Sequence, residues 1–195
     1  DRTLAENFLA IAFFNENPGI QLNPDAEPEP ASLGKWAGPV RIQLEFGDSV
    51  PEETRALQRM QTRNYARRLA AVTGHPIGIT RSSSDNFTVY VVNEEERISL
   101  ADQLAQDFNV NRTTVAAMPR EVYCIVIAFL GKESQAYTRA ISIIRAELPP
   151  AISRSCIHEE IAQGLGLPND SPRARPSIFN DAEEFALLTR HDELL

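Results

Sequence analysis

Apolar residues follow two periods along this chain. Val40, Ile42, Leu44 and Phe46 alternate with polar positions and predict a half-buried strand ended by Gly47. Phe87–Val92 is rich in β-branched and aromatic residues and predicts a second strand. Ile77–Thr80 predicts a short third strand, and Ser82–Asp85 a turn. Tyr123–Leu130 is a continuous apolar run, the pattern of a strand covered on both faces. Helical spacing fills the gaps. Leu4, Phe8, Ile11 and Phe14 predict a short helix over 4–14. Ser49 with Glu52 forms a capping-box pattern with Pro51 in the first turn. The helix it opens runs to about Val72, with Leu57, Tyr65, Leu69 and Val72 inward and Gly74 as its stop. Ser99 opens another, with Leu100, Leu104 and Phe108 on one face. Pro149-Pro150 ends whatever precedes it and pre-sets a helix running to Gly166.

Residues 133–148 fit both periods. Tyr137, Ile141, Ile144 and Leu148 suit a helix, whereas Ala140–Ile144 suits a strand. Residues 15–39 hold five prolines and little periodicity, and read as an extended surface segment ending at Trp36, a cover for the core edge. In the tail, Ser177–Asp181 reads as a turn followed by Glu183–Leu188. The expected architecture is α+β in layers, a mixed sheet packed on helices. Residues 1–39 form an N-terminal helix and proline-rich segment packed on the domain, and 40–195 form a single α/β domain.

Composition narrows the function classes. The 195 residues are 43% hydrophobic and 24% charged, enough for a sizeable core. No apolar run approaches the roughly 18 residues of a spanning helix. Lys and Arg number 19 against 27 Asp and Glu, so the net charge is 19 − 27 = −8. That balance offers no footprint for nucleic acid or an anionic membrane. Arg63, Arg67 and Arg68 read as a solvated helix face, and Arg173 and Arg175 as a solvated loop. The two cysteines, Cys124 and Cys156, are either buried thiols or a disulfide, which would close a loop of about 30 residues and imply an oxidising compartment. No GxSxG, P-loop or GxGxxG is present.

The informative stretch is Glu159-Glu-Ile-Ala-Gln-Gly-Leu-Gly-Leu-Pro-Asn-Asp170. Zinc peptidases place two ligands four apart on one helix face, with a general-base Glu after the first. In metzincins a glycine seven residues on turns the chain back, and a third ligand follows ten on. This segment resembles that pattern in its spacing. Glu159 takes the first-ligand position, Glu160 that of the catalytic base, and Gln163 that of the second ligand. Gly166 takes the turn position and Asn169 the third-ligand position, with Asp170 beside it. All three histidines are missing. Zinc favours imidazole and thiolate, and one carboxylate with two amides holds any cation weakly. Zinc is therefore not expected, and a weakly held oxygen-ligated cation is the alternative. His158 is one residue too early, since its partner four residues on is Ala162. It reads as an exposed or hydrogen-bonded histidine. His75 and His191 carry no pattern.

The run CIHEEIAQGLGLPNDS, with PSIFND and LLTRHDELL after it, is similar to the proteobacterial domain family of unknown function numbered 2927. The resemblance extends from Trp36-Ala-Gly-Pro-Val onward. It implies a secreted or lipid-anchored protein of the periplasm or another extracytoplasmic space, with any lipid on a residue outside this chain. It also supports the pairing of Cys124 with Cys156. It implies no activity. The zincin comparison implies that Ala140–Ile144 is an edge strand bordering the cleft before the active-site helix.

Three functions are compatible. The first is a degenerate peptidase that binds a peptide or protein segment against the Ala140–Ile144 edge by strand addition. The second is a hydrolase of peptide or envelope glycan, with Glu160 as general base and an atypical metal or none. Glu159 and Glu160 point about 100° apart and make a poor opposed pair. The third is a purely structural role for these polar residues.

Overall fold

The computed structural model describes residues 2–15, 28–131, 134, 136–180 and 185–195. The expected extended stretch over 16–27, and Glu183 and Glu184 of the tail, lie outside the described residues. An N-terminal helix, α1 (Arg2–Ala12), leads into β1 (Phe14–Asn15), which pairs antiparallel with β2 (Glu29–Pro30). Then follow β3 (Lys35–Trp36), β4 (Val40–Phe46), α2 (Glu52–Thr73), β5 (Ile77–Ile79) and β6 (Phe87–Val92). The second half holds α3 (Glu94–Phe108), α4 (Arg112–Ala116), β7 (Cys124–Leu130), β8 (Ala136–Arg145) and α5 (Pro150–Gln163).

Six strands make one sheet. Its order is β3-β8-β6-β4-β5, with β7 also pairing β8. The β3–β8, β8–β6, β6–β4 and β4–β5 pairs are parallel, and β7 alone runs antiparallel. Parallel neighbours need crossovers, and α2 supplies the one from β4 to β5. Helices cover both faces, so the strand side chains sort by period two. On β8, Ala140 and Ile144 join the core under α2 and α5, whereas Ile141 and Ile143 join the core under α3 and α4. Phe87, Ile42 and Val89 at the sheet centre are fully buried, each worth roughly 2–3 kcal/mol in transfer terms.

Residues 136–145 are thus a strand, which periodicity alone left open. The edge position expected for Ala140–Ile144 is incorrect. This stretch pairs β6 on one side, from Phe87↔Ala140 to Val92↔Arg145, and β7 on the other, from Cys124↔Ile144 to Leu130↔Tyr137. The outer strand is β7. Among the described residues it pairs only β8, and it is buried on alternate residues rather than throughout.

Helix boundaries also moved. Ser49 does not cap α2. Its backbone N–H and hydroxyl both donate to Glu96, and Pro51 is the N-cap with no side-chain bond. Leu57 and Val72 face outward, while Tyr65 and Leu69 are buried as expected. Gly74 ends α2 in the left-handed conformation, φ 67°. The third helix begins at Glu94 rather than Ser99, because Asn93 and Glu96 form a true capping box. The expected helix over 4–14 ends at Ala12, and Phe14 is exposed on β1. Trp36 is buried as a core cover, stacked beside Phe87, and its indole donates to the Gly164 carbonyl at 2.8 Å.

Candidate functional site

α5 carries the candidate residues into the molecule. Pro150 pre-forms its first turn, and Ile157 and Ile161 bury it against the sheet. Cys156 is bonded to Cys124 at the start of β7, with Cα atoms 5.9 Å apart, so the helix is tied to the outer strand. No free cysteine remains. The last turn unwinds at a bend. Gly166 N–H and Leu167 N–H both donate to the Gln163 carbonyl, at 3.0 and 3.2 Å. Gly166 has φ 135°, and a Cβ there would lie 2.5 Å from the Gly34 carbonyl oxygen. No other residue type fits that bend without moving the backbone.

The bend returns the chain to α5. Gln163 is buried, and its side-chain amide donates to Asp170 Oδ1 at 3.1 Å. Asn169 is buried too, and its amide donates to the Asp170 and Ala10 carbonyls, both at 2.8 Å. Two carbonyl acceptors fix the nitrogen side of this amide, leaving Asn169 Oδ1 buried without a hydrogen-bond partner among the described residues. Ala10 belongs to α1, so the N-terminal helix lies directly on the third-ligand position. Ile11 and Ala12 beside it are fully buried, and Asn7 is bonded to His191 at 3.0 Å. Glu160 is 4% exposed, and Glu159, one turn before Gln163, is half-buried.

Gln163, Asn169 and Asp170 therefore form one hydrogen-bonded group. As arranged, this group does not fit a metal ion. Among the described residues no three His, Cys, Asp or Glu side chains gather as a metal site, and the one carboxylate in this group already accepts from Gln163.

A second feature escaped the sequence pattern. His158 is neither exposed nor hydrogen-bonded at Nδ1 in the described residues. It is buried with its ring stacked on Tyr65, centroids 3.8 Å apart and planes 20° from parallel. Burial, with the nearby Arg154 and Arg68 charges adding to it, pushes its pKa down to about 4. The Tyr65 hydroxyl donates to the His158 carbonyl at 2.8 Å. Burial, reinforced by the Asp192 carboxylate, pushes that phenol well above its ordinary value. Nothing in the spacing of α5 marks this pair. The apolar register of Tyr65 on α2 was the available clue.

Also unmarked were two buried arginines. Arg97 donates to the Val115 and Ala116 carbonyls. Arg145 donates to the Val122 carbonyl at 2.9 Å, and to those of Met118 and Pro119 at 2.8 and 2.7 Å. Arg145 is matched by three loop carbonyls, whereas Arg97 meets the last two carbonyls of α4 and its buried Nε has no hydrogen-bond partner among the described residues. For Arg145, a flanking arginine at the end of an isoleucine-rich strand was the only hint.

Among the described residues no helix is long and apolar enough to cross a membrane. No curated protein and no solved structure matches the chain. The model of a family described as "Protein of unknown function (DUF2927)" spans residues 1–195, and the chain belongs to that family.

Proposed function

We propose that this chain is an extracytoplasmic zincin-type domain whose metal chemistry has been replaced by binding, and that it holds an extended peptide or protein segment. One observation carries the reading. The residues at the second- and third-ligand positions, Gln163 and Asn169, are buried and donate to Asp170 and to main-chain carbonyls. The peptidase spacing and its glycine bend persist while the second and third ligand positions have joined Asp170 in an internal hydrogen-bond group. The disulfide fits an oxidising compartment. A general base must reach water or substrate, and Glu160 is 4% exposed, which favours binding over hydrolysis.

The surface for a partner strand is the outer edge of β7. It is seven residues long and is tied to α5 through Cys124. An edge strand offers a row of main-chain donors and acceptors, and an added strand satisfies them.

The test has two arms. After incubation with excess zinc and removal of free metal, the protein is expected to retain far less than one zinc per chain. Stoichiometric zinc that disappears in Gln163→Ala overturns the metal-free reading. Extended heptapeptides selected from a random library should slow hydrogen exchange over Cys124–Leu130. Selected peptides that protect other segments and leave β7 unchanged contradict strand addition.

A further inference from the structure

Helix α2 is basic on an acidic protein. It carries five arginines against two glutamates, whereas the whole chain has a net charge of −8. Four of the five, Arg55, Arg59, Arg63 and Arg67, stand four residues apart and form one ridge. The ridge winds outward: Arg55 and Arg59 are half-buried, and Arg63 and Arg67 are exposed. Arg55 donates to the Val50 and Gly47 carbonyls, and Arg68, on another flank, pairs with Glu193 at 2.8 Å. Arg59 lies over the Phe46 ring, 4.7 Å from its centroid, and is a loose 4.0 Å from Glu52. Arg63 and Arg67 meet no carboxylate among the described residues, and Arg67 reaches only Asn64, at 3.4 Å. Arg81, just beyond β5, is exposed and also meets none.

The ridge runs beside an open sheet edge. α2 packs on β5, and among the described residues β5 pairs only β4. The Pro76 carbonyl accepts from Val40 N–H, and Thr80 N–H donates to the Ile42 carbonyl, both at 2.8 Å. Alternate main-chain groups therefore face β4, and those of Ile77 and Ile79 face outward. β5 stops level with Ile42, so β4 runs on to Phe46 with no strand beside it on that side among the described residues. Where ridge and edge meet, Arg59, Arg81, Ile79 and Thr80 line a pocket of about 350 Å³. Glu45 and Glu52 line it too, and each has a partner: Glu45 accepts from Gln43, and Glu52 faces Arg59.

This combination selects an extended acidic segment. Arginines four apart on a helix repeat about every 6 Å, and side chains on one face of an extended chain repeat about every 6.6 Å. An acid at every second residue therefore meets successive arginines, while the main chain of the segment meets that of Ile77 and Ile79. An anionic membrane offers charge without main-chain partners, and it repels the acidic remainder of the protein. We propose that Arg59, Arg63, Arg67 and Arg81 bind an extended peptide segment with carboxylates at alternate positions. The proposal stands whether or not β7 accepts a strand.

The experiment is fluorescence anisotropy on the whole protein at low salt with fluorescein-labelled Gly-Ser-Glu-Thr-Glu-Val-Glu-Thr. The peptide is expected to bind saturably, and binding should fade as salt is raised. Arg63→Gln with Arg81→Gln, both at exposed positions, should weaken it about tenfold. Arg120→Gln with Arg173→Gln removes the same charge elsewhere on the surface and should leave binding unchanged. A peptide of the same composition with its three glutamates adjacent should bind about threefold more weakly. Absence of saturable binding overturns the proposal, as does equal loss in the two double variants or equal binding of the two peptides. Phosphatidylglycerol vesicles that bind the protein through Arg63 and Arg81, and that the peptide fails to displace, overturn it in favour of a membrane.

Discussion

Two groups of buried polar side chains lie on opposite sides of the sheet, and they differ in kind. Beside α3 and α4, Arg97 reaches the last two carbonyls of α4, and Arg145 reaches three in the loop between α4 and β7. These are long cationic side chains that pin main-chain carbonyls of α4 and of the loop after it. Their work ends with that fastening. Beside α5, the Gln163–Asn169–Asp170 group uses two neutral amides at a tight bend, leaves Asn169 Oδ1 without a partner among the described residues, and sits under a terminal helix. Arg145, the loop fastener, is matched to its three carbonyls. The bend has the spacing of a site and the bonding of a structural element. That mismatch is the ground on which the binding role is proposed.

The largest effect expected concerns the link between α5 and β7. Replacing both Cys124 and Cys156 by serine frees a loop of sequence separation 32, and the chain-entropy model gives a loss of about 3–4 kcal/mol. For a chain of this size that is about a 10 °C fall in Tm by calorimetry. A change of a degree or two would show that the bend is held without β7. Next is the fastener. Arg145→Met leaves three carbonyls without their donor and should cost about 3 kcal/mol in urea unfolding. Arg145→Lys should recover part of it, since one ammonium cannot span all three. Full recovery would make the charge alone sufficient.

The third prediction uses pH. The His158 pKa is about 4 when folded, against about 6.5 unfolded, so the unfolded chain binds the extra proton. Stability from this group is present above pH 6.5 and is lost as pH falls toward 4, by about 2 kcal/mol at pH 5. His158→Phe keeps a ring on Tyr65 and should flatten the stability curve between pH 7 and 5. Parallel curves for variant and wild type would contradict it. The smallest effect is expected at the bend. Asn169→Ala removes donors to Ala10 and Asp170 and should cost about 1–2 kcal/mol. Hydrogen exchange over Leu9–Phe13 should quicken if Asn169 holds α1 in place, and unchanged exchange there would separate α1 from the bend.

Much of the fold was legible in the sequence because period two and period 3.6 are strong where one face is buried. β6 matched residue for residue, and Gly74 and Gly166 marked chain reversals that need their conformations. The failures share a cause: tertiary partners. Ser49 looked like a helix cap, yet Glu96 from another helix claims it. Ala140–Ile144 looked like an edge, yet strand order is not encoded in any local pattern, and β7 lies outside it. At the site, spacing aimed Glu159, Gln163 and Asn169 at one point, and hydrogen bonds join Gln163 and Asn169 to Asp170. It could not reveal that α1 packs on Asn169 across 159 positions of sequence. Nor could it reveal the His158–Tyr65 stack, which depends on how α2 lies against α5.

The central proposal is that the bend keeps the ligand spacing of a metallopeptidase with the ligands themselves replaced. Restoring histidine at all three ligand positions, Glu159→His with Gln163→His and Asn169→His, tests it most directly. Isothermal titration should then give one zinc per chain with affinity of about micromolar or better, against no stoichiometric binding for the wild type. A folded triple variant that takes up no zinc would contradict the claim, because the three positions would then not converge on a common point.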